Sequence, residues 1–427
     1  MKTVLSGTGQ TIRVPAGAWS EGATLELTFP RDWTVEDLPI TDAPSLSDDD
    51  IRSALAQPLG SAPLAALAKG RHSVAIAVDD ITRPTKAAAI LDQLVETLIS
   101  AGLLPQDITV IVAVGAHRPS TEREIELKIG SRVASRVRVA THDPKDVRAT
   151  QSAFGGVPVR VNPLYLDAEL RIGVGCVIPH PFAGFSGGGK IVLPGLADLE
   201  AVTRSHKYAL MGLRGGTDLD RNKFREDMER AVRTLGMDFC VNVVINGRSD
   251  TAGIFAGDFI TSHRAAAAAA SRIGATRPPT RPLDALILNA FPKDSDLIQA
   301  EAAFVALRSG MLGWLTERAP VVLTAACSDG MGVHQLLGPG GRLYRRPAAK
   351  TFLGAHPLLV YAPGLSTEQG RQIIWDGYSF AADWNEILRR LADVTPDTPC
   401  VGVLACGPLH TLPTVASEAA STPIGGT

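Results

Sequence analysis

Apolar runs of strand length alternate with amphipathic stretches of helix length over most of the chain. HSVAIAVDD (72–80) reads as a buried strand, KAAAILDQLVETLISAGL (86–103) as the helix that follows, and DITVIVAVGAH (107–117) as the next strand. A helix across STEREIELKIGSRVA (120–134) comes next, then strands at RIGVGCVIPH (171–180) and MDFCVNVVING (237–247), and a helix that ends in the alanine run Ala265 to Ala270. SRIGATRPPTRPLD (271–284) concentrates Gly, Pro and Arg without a hydrophobic period and reads as a linker. Beyond it the alternation restarts, with LDALILNAF (283–291), PVVLTAACSD (320–329) and HPLLVYAPG as strands, and LIQAEAAFVALRSGML and FAADWNEILRRLAD as helices. The last apolar run, PCVGVLACG (399–407), either closes this second unit or returns to the first. The first 50 residues carry short β segments, TIRVP and ATLELTFP, with acidic loops.

This alternation predicts an α/β protein of two domains with mostly parallel sheets. The expected division is an N-terminal α/β domain over 1–275 that carries the chemical motifs, a C-terminal α/β domain over 283–398, and a terminal segment over 399–427. A chain of 427 residues is long enough for two such cores. Hydrophobic residues at 45% and charged residues at 20% are an ordinary globular balance, and a formal net charge of -2 gives no reason to expect a nucleic-acid or membrane partner. No apolar run approaches the roughly 20 residues of a membrane span, and the start MKTVLSGTGQTIRVPAG lacks the apolar core of a signal peptide. The five cysteines form no CxxC pair, which fits reduced thiols in a cytoplasmic protein.

Each strong strand ends in a polar cluster punctuated by proline: Asp79-Asp80-Ile81-Thr82-Arg83-Pro84, Gly115-Ala116-His117-Arg118-Pro119 and Pro179-His180-Pro181. The second unit repeats the habit at Pro292-Lys293-Asp294 and Ser328-Asp329-Gly330. Ligands of open parallel sheets bind outside the carboxyl ends of the strands, so these clusters mark one site. HPFAGFSGGGKIVLPGLA (180–197) is the most unusual segment. Gly187, Gly188 and Gly189 in succession imply special dihedrals or close approach, and small residues ending in Lys190 suit a phosphate. The spacing from Gly184 to Gly189-Lys190 matches a P-loop, but Ile191 stands where the magnesium-binding hydroxyl is needed, so nucleotide hydrolysis is not expected. In DLEAVTRSHKYAL (198–210), Asp198 caps a helix that turns Leu199, Val202 and His206 to one face, placing His206 inward as a metal ligand. His117 and His180 are candidates for proton transfer at neutral pH. Arg83 offers a planar fork for a carboxylate, and Asp80 either orients that fork or binds another polar ligand.

Taken together, DDITRP, GAHRP, HPFAGFSGGGKIVLPGLA and the helix histidine resemble the nickel-dependent lactate racemase family, in order and spacing from about residue 79 to 206. FPKDSDLIQA (291–300) agrees more loosely. The resemblance implies two α/β domains with the active site between them, and a nickel-pincer nucleotide, a pyridinium mononucleotide with two sulfur-bearing arms made by separate biosynthetic enzymes. It implies that Lys190 tethers this cofactor, that His206 is the protein ligand to nickel, and that Asp80, Ser186, Gly187, Gly188 and Gly189 lie around the nucleotide. His117 and His180 would be the two acid/bases, and Arg83 and Gln299 would bind the substrate. The implied reaction inverts C2 of a 2-hydroxy acid by hydride transfer to and from the cofactor.

One departure bears on the substrate. Three residues after Gln299 the lactate racemases carry a carboxylate-binding lysine, and this chain has Ala302. Lys293 is the nearby candidate to replace it, and the substrate is then expected to be malate, an aromatic hydroxy acid or a sugar acid in place of lactate. Two other readings are a zinc-dependent hydrolase or lyase built on His117, His180 and His206, and a non-enzymatic protein that binds a nucleotide or organic acid.

Overall fold

The continuous apolar runs become the central strands of two parallel sheets. The computed structural model describes residues 9–17, 19–20, 22–210, 219–338, 340–344, 350–371 and 378–413. Up to residue 161 the strands are β1 (Gln10–Ala16), β2 (Ala23–Phe29), β3 (Thr34–Asp37), β4 (Val74–Asp79), β5 (Ile108–Ala113), β6 (Arg138–Thr141), β7 (Arg148–Phe154) and β8 (Val157–Val161). They are followed by β9 (Leu170–Cys176), β10 (Pro179–His180), β11 (Gly184–Phe185), β12 (Phe239–Ile245), β13 (Thr251–Gly257), β14 (Ala285–Asn289), β15 (Val321–Thr324), β16 (Leu358–Tyr361), β17 (Tyr378–Ala381) and β18 (Cys400–Leu404).

The first sheet has the order β13-β12-β9-β4-β5-β6, parallel except for β13 at one edge. The chain leaves β4 toward β5 and β6, then returns to its other side through β9, so the order reverses between β4 and β9. That reversal opens a crevice at the strand ends. β4 is buried on both faces, and its two faces differ in size. Val74, Ile76 and Val78 pack with Ile90, Leu91, Leu94 and Leu98 of the helix Ala88–Ser100. Ala75 and Ala77 face the other way, among Ile191, Leu193, Met228 and Val232. Small side chains on this face let the glycine-rich loop lie on the sheet. A Cβ at Gly173 of β9 would stand 2.6 Å from Ile191 Cγ2.

The second sheet is parallel throughout, in the order β17-β16-β15-β14-β18-β3. Alternate residues of β14 again serve two cores: Leu286 and Leu288 pack on one face, Ala285 and Ile287 on the other.

Strand pairing crosses the expected domain boundaries. β3, from the first 40 residues, lies beside β18 in the second sheet. The β1–β2 hairpin adds Val14, Leu27 and Phe29 to the second unit's core. β18 closes the second sheet beside β14, and the chain then returns to the first unit, where Cys406 and Leu409 join its core and Thr411 pairs with Ala275. Residues 414–427 of the terminal segment lie outside the described residues. Two expected helices are also broken. The first divides at Gly130, which has φ 83°, into Glu122–Ile129 and Ser131–Ala134. The run after β14 divides into Leu297–Ala300, Phe304–Arg308 and 3-10 turns. All five cysteines are buried free thiols, and no described helix is long and apolar enough to cross a membrane.

Candidate active site

The turn after β4 is held from below. Lys128 is buried, with Nζ 2.7 Å from Asp79 Oδ1, and donates to the carbonyls of Arg83 and Thr85. Asp79 Oδ2 accepts from Thr85 Oγ1 and from the Cys176 N–H at the end of β9, tying the two strand ends together. On this platform Asp80 Oδ2 lies 2.6 Å from His117 Nδ1, and Asp80 Oδ1 accepts from the Thr82 N–H and hydroxyl. Burial alone would raise the Asp80 carboxyl; the opposing pull of His117, Arg83 and Thr82 brings it well below the usual carboxylate range. An ionised Asp80 fixes the proton of neutral His117 on Nδ1 and leaves Nε2 a lone pair.

Lys190 and His180 line the same cavity, with Arg83, His117 and His206 also in its wall. Lys190 Nζ is 3.4 Å from His180 Nε2 and lies 5.3 and 4.9 Å from the ring centroids of Phe182 and Phe224. Burial foremost, then the charges of Arg225 and Arg83, holds its amine well below the usual lysine range. That shift favours the neutral, nucleophilic form of the amine. The Phe182 and Ala183 N–H groups point at His180 Nδ1 at 3.4 and 3.3 Å, which assigns the proton of the neutral ring to Nε2. Burial, followed by Lys190, Arg83 and Arg225, keeps His180 well below the usual histidine range.

His206 rides on the helix Leu199–Leu210, whose first turn is capped by Asp198 accepting from the Ala201 N–H. Its Nδ1–H donates to the Val202 carbonyl at 2.9 Å. Nε2 then carries the lone pair, without a hydrogen-bond partner among the described residues. A histidine whose other ring nitrogen donates to a backbone carbonyl is the usual form of a metal ligand. Burial pushes this imidazole down to about 4.

The second unit closes the cavity with two groups. Gln299, from the helix Leu297–Ala300, accepts from Arg83 Nη1 at 3.0 Å and turns its amide nitrogen to His117 Nε2 at 3.3 Å. His334 was not among the residues selected from the sequence. It follows the Ser328-Asp329-Gly330 cluster by four residues, and that cluster was its only signal. The backbone pairs at His117 and His334, and the Gln335 N–H donates to the Ala116 carbonyl. Leu336 is buried against Ala116 and Val202. The His334 ring then stands edge-on between His117 and His206, at centroid distances of 5.4 and 5.5 Å.

Four expectations change. The Asp80 oxygens are engaged by His117 and Thr82, so Asp80 orients a histidine from the cavity wall and makes no hydrogen bond to Arg83 among the described contacts. The Ser186 hydroxyl donates to the Cys176 carbonyl and accepts from the Ile178 N–H. In the glycine run only Gly187 borders the cavity, while the Gly188 N–H donates to Asn242 Oδ1 and Gly189 packs near Met228. Their small size fits the loop to the sheet: a Cβ on Gly187 would lie 2.4 Å from Val177 Cγ2 at φ +75°. Finally, Lys293 is buried outside the cavity, with Nζ donating to the Thr82 carbonyl at 2.5 Å, so it braces the Arg83 turn and does not stand in for a lysine at 302. The carbonyls of Phe185 and Gly187 are held by the fully buried Arg225, which sequence reading also missed.

Against this geometry, the comparisons are specific. The family profile for the lactate racemase N-terminal domain matches residues 21–216. A lactate racemase of Lactiplantibacillus plantarum is 30% identical over 293 residues, 66% of this chain and 67% of that one. The chain belongs to the lactate racemase family. It is accordingly an enzyme of the isomerase class. A lactate racemase of Thermoanaerobacterium thermosaccharolyticum is 27% identical over 302 residues, 67% of this chain and 68% of the relative. The fold agrees with the lactate racemase apoprotein of that organism at TM-score 0.73 and 22% identity, covering 95% of this chain and 100% of that one. A Thermotoga maritima protein of the same fold gives TM-score 0.64 at 17% identity, covering 87% and 100%.

The residues present suit a group that is tethered through an amine and ligated through a metal: a lysine amine held below its usual range and an imidazole with an open Nε2 share one cavity. A zinc site of three histidines is a poorer fit, since no group of three or more His, Cys, Asp or Glu side chains is placed to hold a metal among the described residues.

Proposed function

We propose that this protein is a racemase or epimerase that inverts C2 of a 2-hydroxy acid, with a nickel-pincer nucleotide tethered to Lys190. The observation that carries the reading is the meeting of Lys190, His180, His117, His206 and Arg83 around one cavity. When bound, the cofactor supplies a reversible hydride acceptor. The Lys190 amine would be the tether to this group. His206 Nε2 would be the protein ligand to nickel, a metal for which imidazole is a suitable donor.

The Arg83 guanidinium holds the substrate carboxylate, and Gln299 steadies both that fork and His117. Substrate replaces the Gln299 amide at His117 Nε2, which then takes the hydroxyl proton. Asp80 keeps the ring in the required tautomer and compensates the imidazolium as it forms. His180 serves proton transfer on the opposite face. Two histidines lining one cavity fit a reaction that must treat both enantiomers. The Phe182 ring in the cavity wall helps to keep water from the reacting carbon.

The test is incubation of one enantiomer of a 2-hydroxy acid with cofactor-loaded protein in deuterium oxide. Hydride return predicts inversion with the C2 hydrogen retained. Inversion with deuterium at C2 would mean proton abstraction from carbon and would contradict the reading. Ala302 and the buried Lys293 support a substrate other than lactate, of the malate, aromatic hydroxy acid or sugar acid class.

A further inference from the structure

A second, smaller cavity lies behind His117. It shares His117 and His334 as walls with the main cavity, so the two cavities adjoin at these rings. We propose that His334 and this cavity form a hydroxyl-binding subsite for C3, and that the preferred substrates are 2-hydroxy acids with a hydroxylated tail, the aldonates. This rests on the 2-hydroxyacid reading above.

Three observations select a hydroxylated tail. The first is size. The cavity measures about 30 Å³, room for roughly two water-sized groups, which suits a CH–OH unit and excludes an aromatic ring. The second is the charge around it. Asp296 and Asp329 both face it. Arg118, the cation at its wall, is already held by both oxygens of Glu124 at 2.8 and 2.6 Å, with Asp329 at 3.3 Å. A second carboxylate, as in malate, would meet like charge without a free partner. The third is His334 itself. Its Nδ1 accepts from the Leu336 and Leu337 N–H groups, both at 3.2 Å, which assigns the ring proton to Nε2. Nε2–H has no hydrogen-bond partner among the described residues. His334 therefore presents a fixed donor, with the Asp296 carboxylate as acceptor in the lining of the same small space. A hydroxyl satisfies both. A methyl group, as in lactate, would leave them without partners, a loss that selects strongly against the analogue.

The experiment compares the C2-epimeric pair D-erythronate and D-threonate with lactate, malate and phenyllactate, using protein whose Lys190 adduct has been verified by mass. The expected kcat/KM for the four-carbon aldonates exceeds that of each other acid by at least about tenfold. His334→Phe should lower the erythronate-to-lactate ratio by about tenfold or more, while His334→Gln, which keeps an N–H donor, should recover part of it. Thermal melts establish that both variants fold. Preference for lactate, malate or phenyllactate overturns the subsite, as does a His334→Phe variant that lowers all substrates equally. Conversion of none of the five by adduct-bearing protein overturns the 2-hydroxyacid reading instead. Calorimetry on unloaded protein tests the subsite independently of turnover: erythronate should bind at least about fivefold tighter than lactate, and equal or weaker binding overturns it.

Discussion

The two units contribute to the cavity in different ways. In the first, the three histidines around the reacting centre are each fixed by their own neighbourhood: His117 by Asp80, His206 by the Val202 carbonyl, His180 by two backbone N–H groups. In the second, Gln299 sits on a four-residue helix and His334 on a loop, and both reach across the cleft to touch His117 and its surroundings. The first unit therefore sets what chemistry is possible, through tautomers and protonation states. The second acts on which acid is held. Loops on a rigid scaffold are where such selectivity is usually placed.

This contrast can be broken most severely at Asp80. Asp80→Asn should lower kcat by about 10²–10³-fold with little change in KM, because the amide no longer enforces the Nδ1–H tautomer or balances the imidazolium; a variant affected mainly in KM would remove Asp80 from the chemical half. Arg83→Lys should lower kcat/KM by about 10–100-fold, since an ammonium cannot reproduce the fork that meets Gln299 and the carboxylate, and steady-state kinetics would detect it. Gly187→Ala tests whether the glycine run serves packing. The positive φ and the contact with Val177 predict a loss of about 1–3 kcal/mol in denaturant unfolding of the unloaded protein, and an unchanged midpoint would contradict it.

The smallest effect is a pH dependence of stability in the scaffold. His142, His263 and His410 are buried, and burial is the leading cause that lowers each folded pKa, to about 3 for His410. As pH falls below the unfolded value near 6.5, the unfolded chain takes up protons that the folded chain refuses, so stability falls with acidification. Each group contributes up to about 1.4 kcal/mol per pH unit between its folded value and 6.5. Melting temperature should drop between pH 7 and pH 5; a flat profile would show that these histidines are protonated in the folded state.

Legibility in the sequence follows the same division. The central strands were plain because continuous Val, Ile and Ala runs are what parallel strands buried on both faces require. His117, His180, Lys190 and His206 were visible because they lie within a few residues of strand ends, glycines or a cap. Partnerships between distant segments were hidden. Asp80 could have faced Arg83 or a ligand, and only folding shows that His117 takes it. Lys293 read as a free cation beside the site, yet the strand after the linker buries it beneath Thr82. β3 was missed and the destination of β18 was left open, because a four-residue strand has almost no pattern of its own and register across domains leaves no local mark. His334 belongs to this group too: its environment is made by the first unit, 217 positions away at His117 in the sequence numbering.

The central claim concerns Lys190. The most direct measurement is intact-protein mass with elemental analysis on protein co-expressed with the pincer-cofactor pathway, beside its Lys190→Ala variant. The account predicts an added mass that maps to Lys190, about one nickel per chain, and neither an adduct nor activity in the variant. An unmodified Lys190 despite a working pathway, or full activity in the alanine variant, would contradict it.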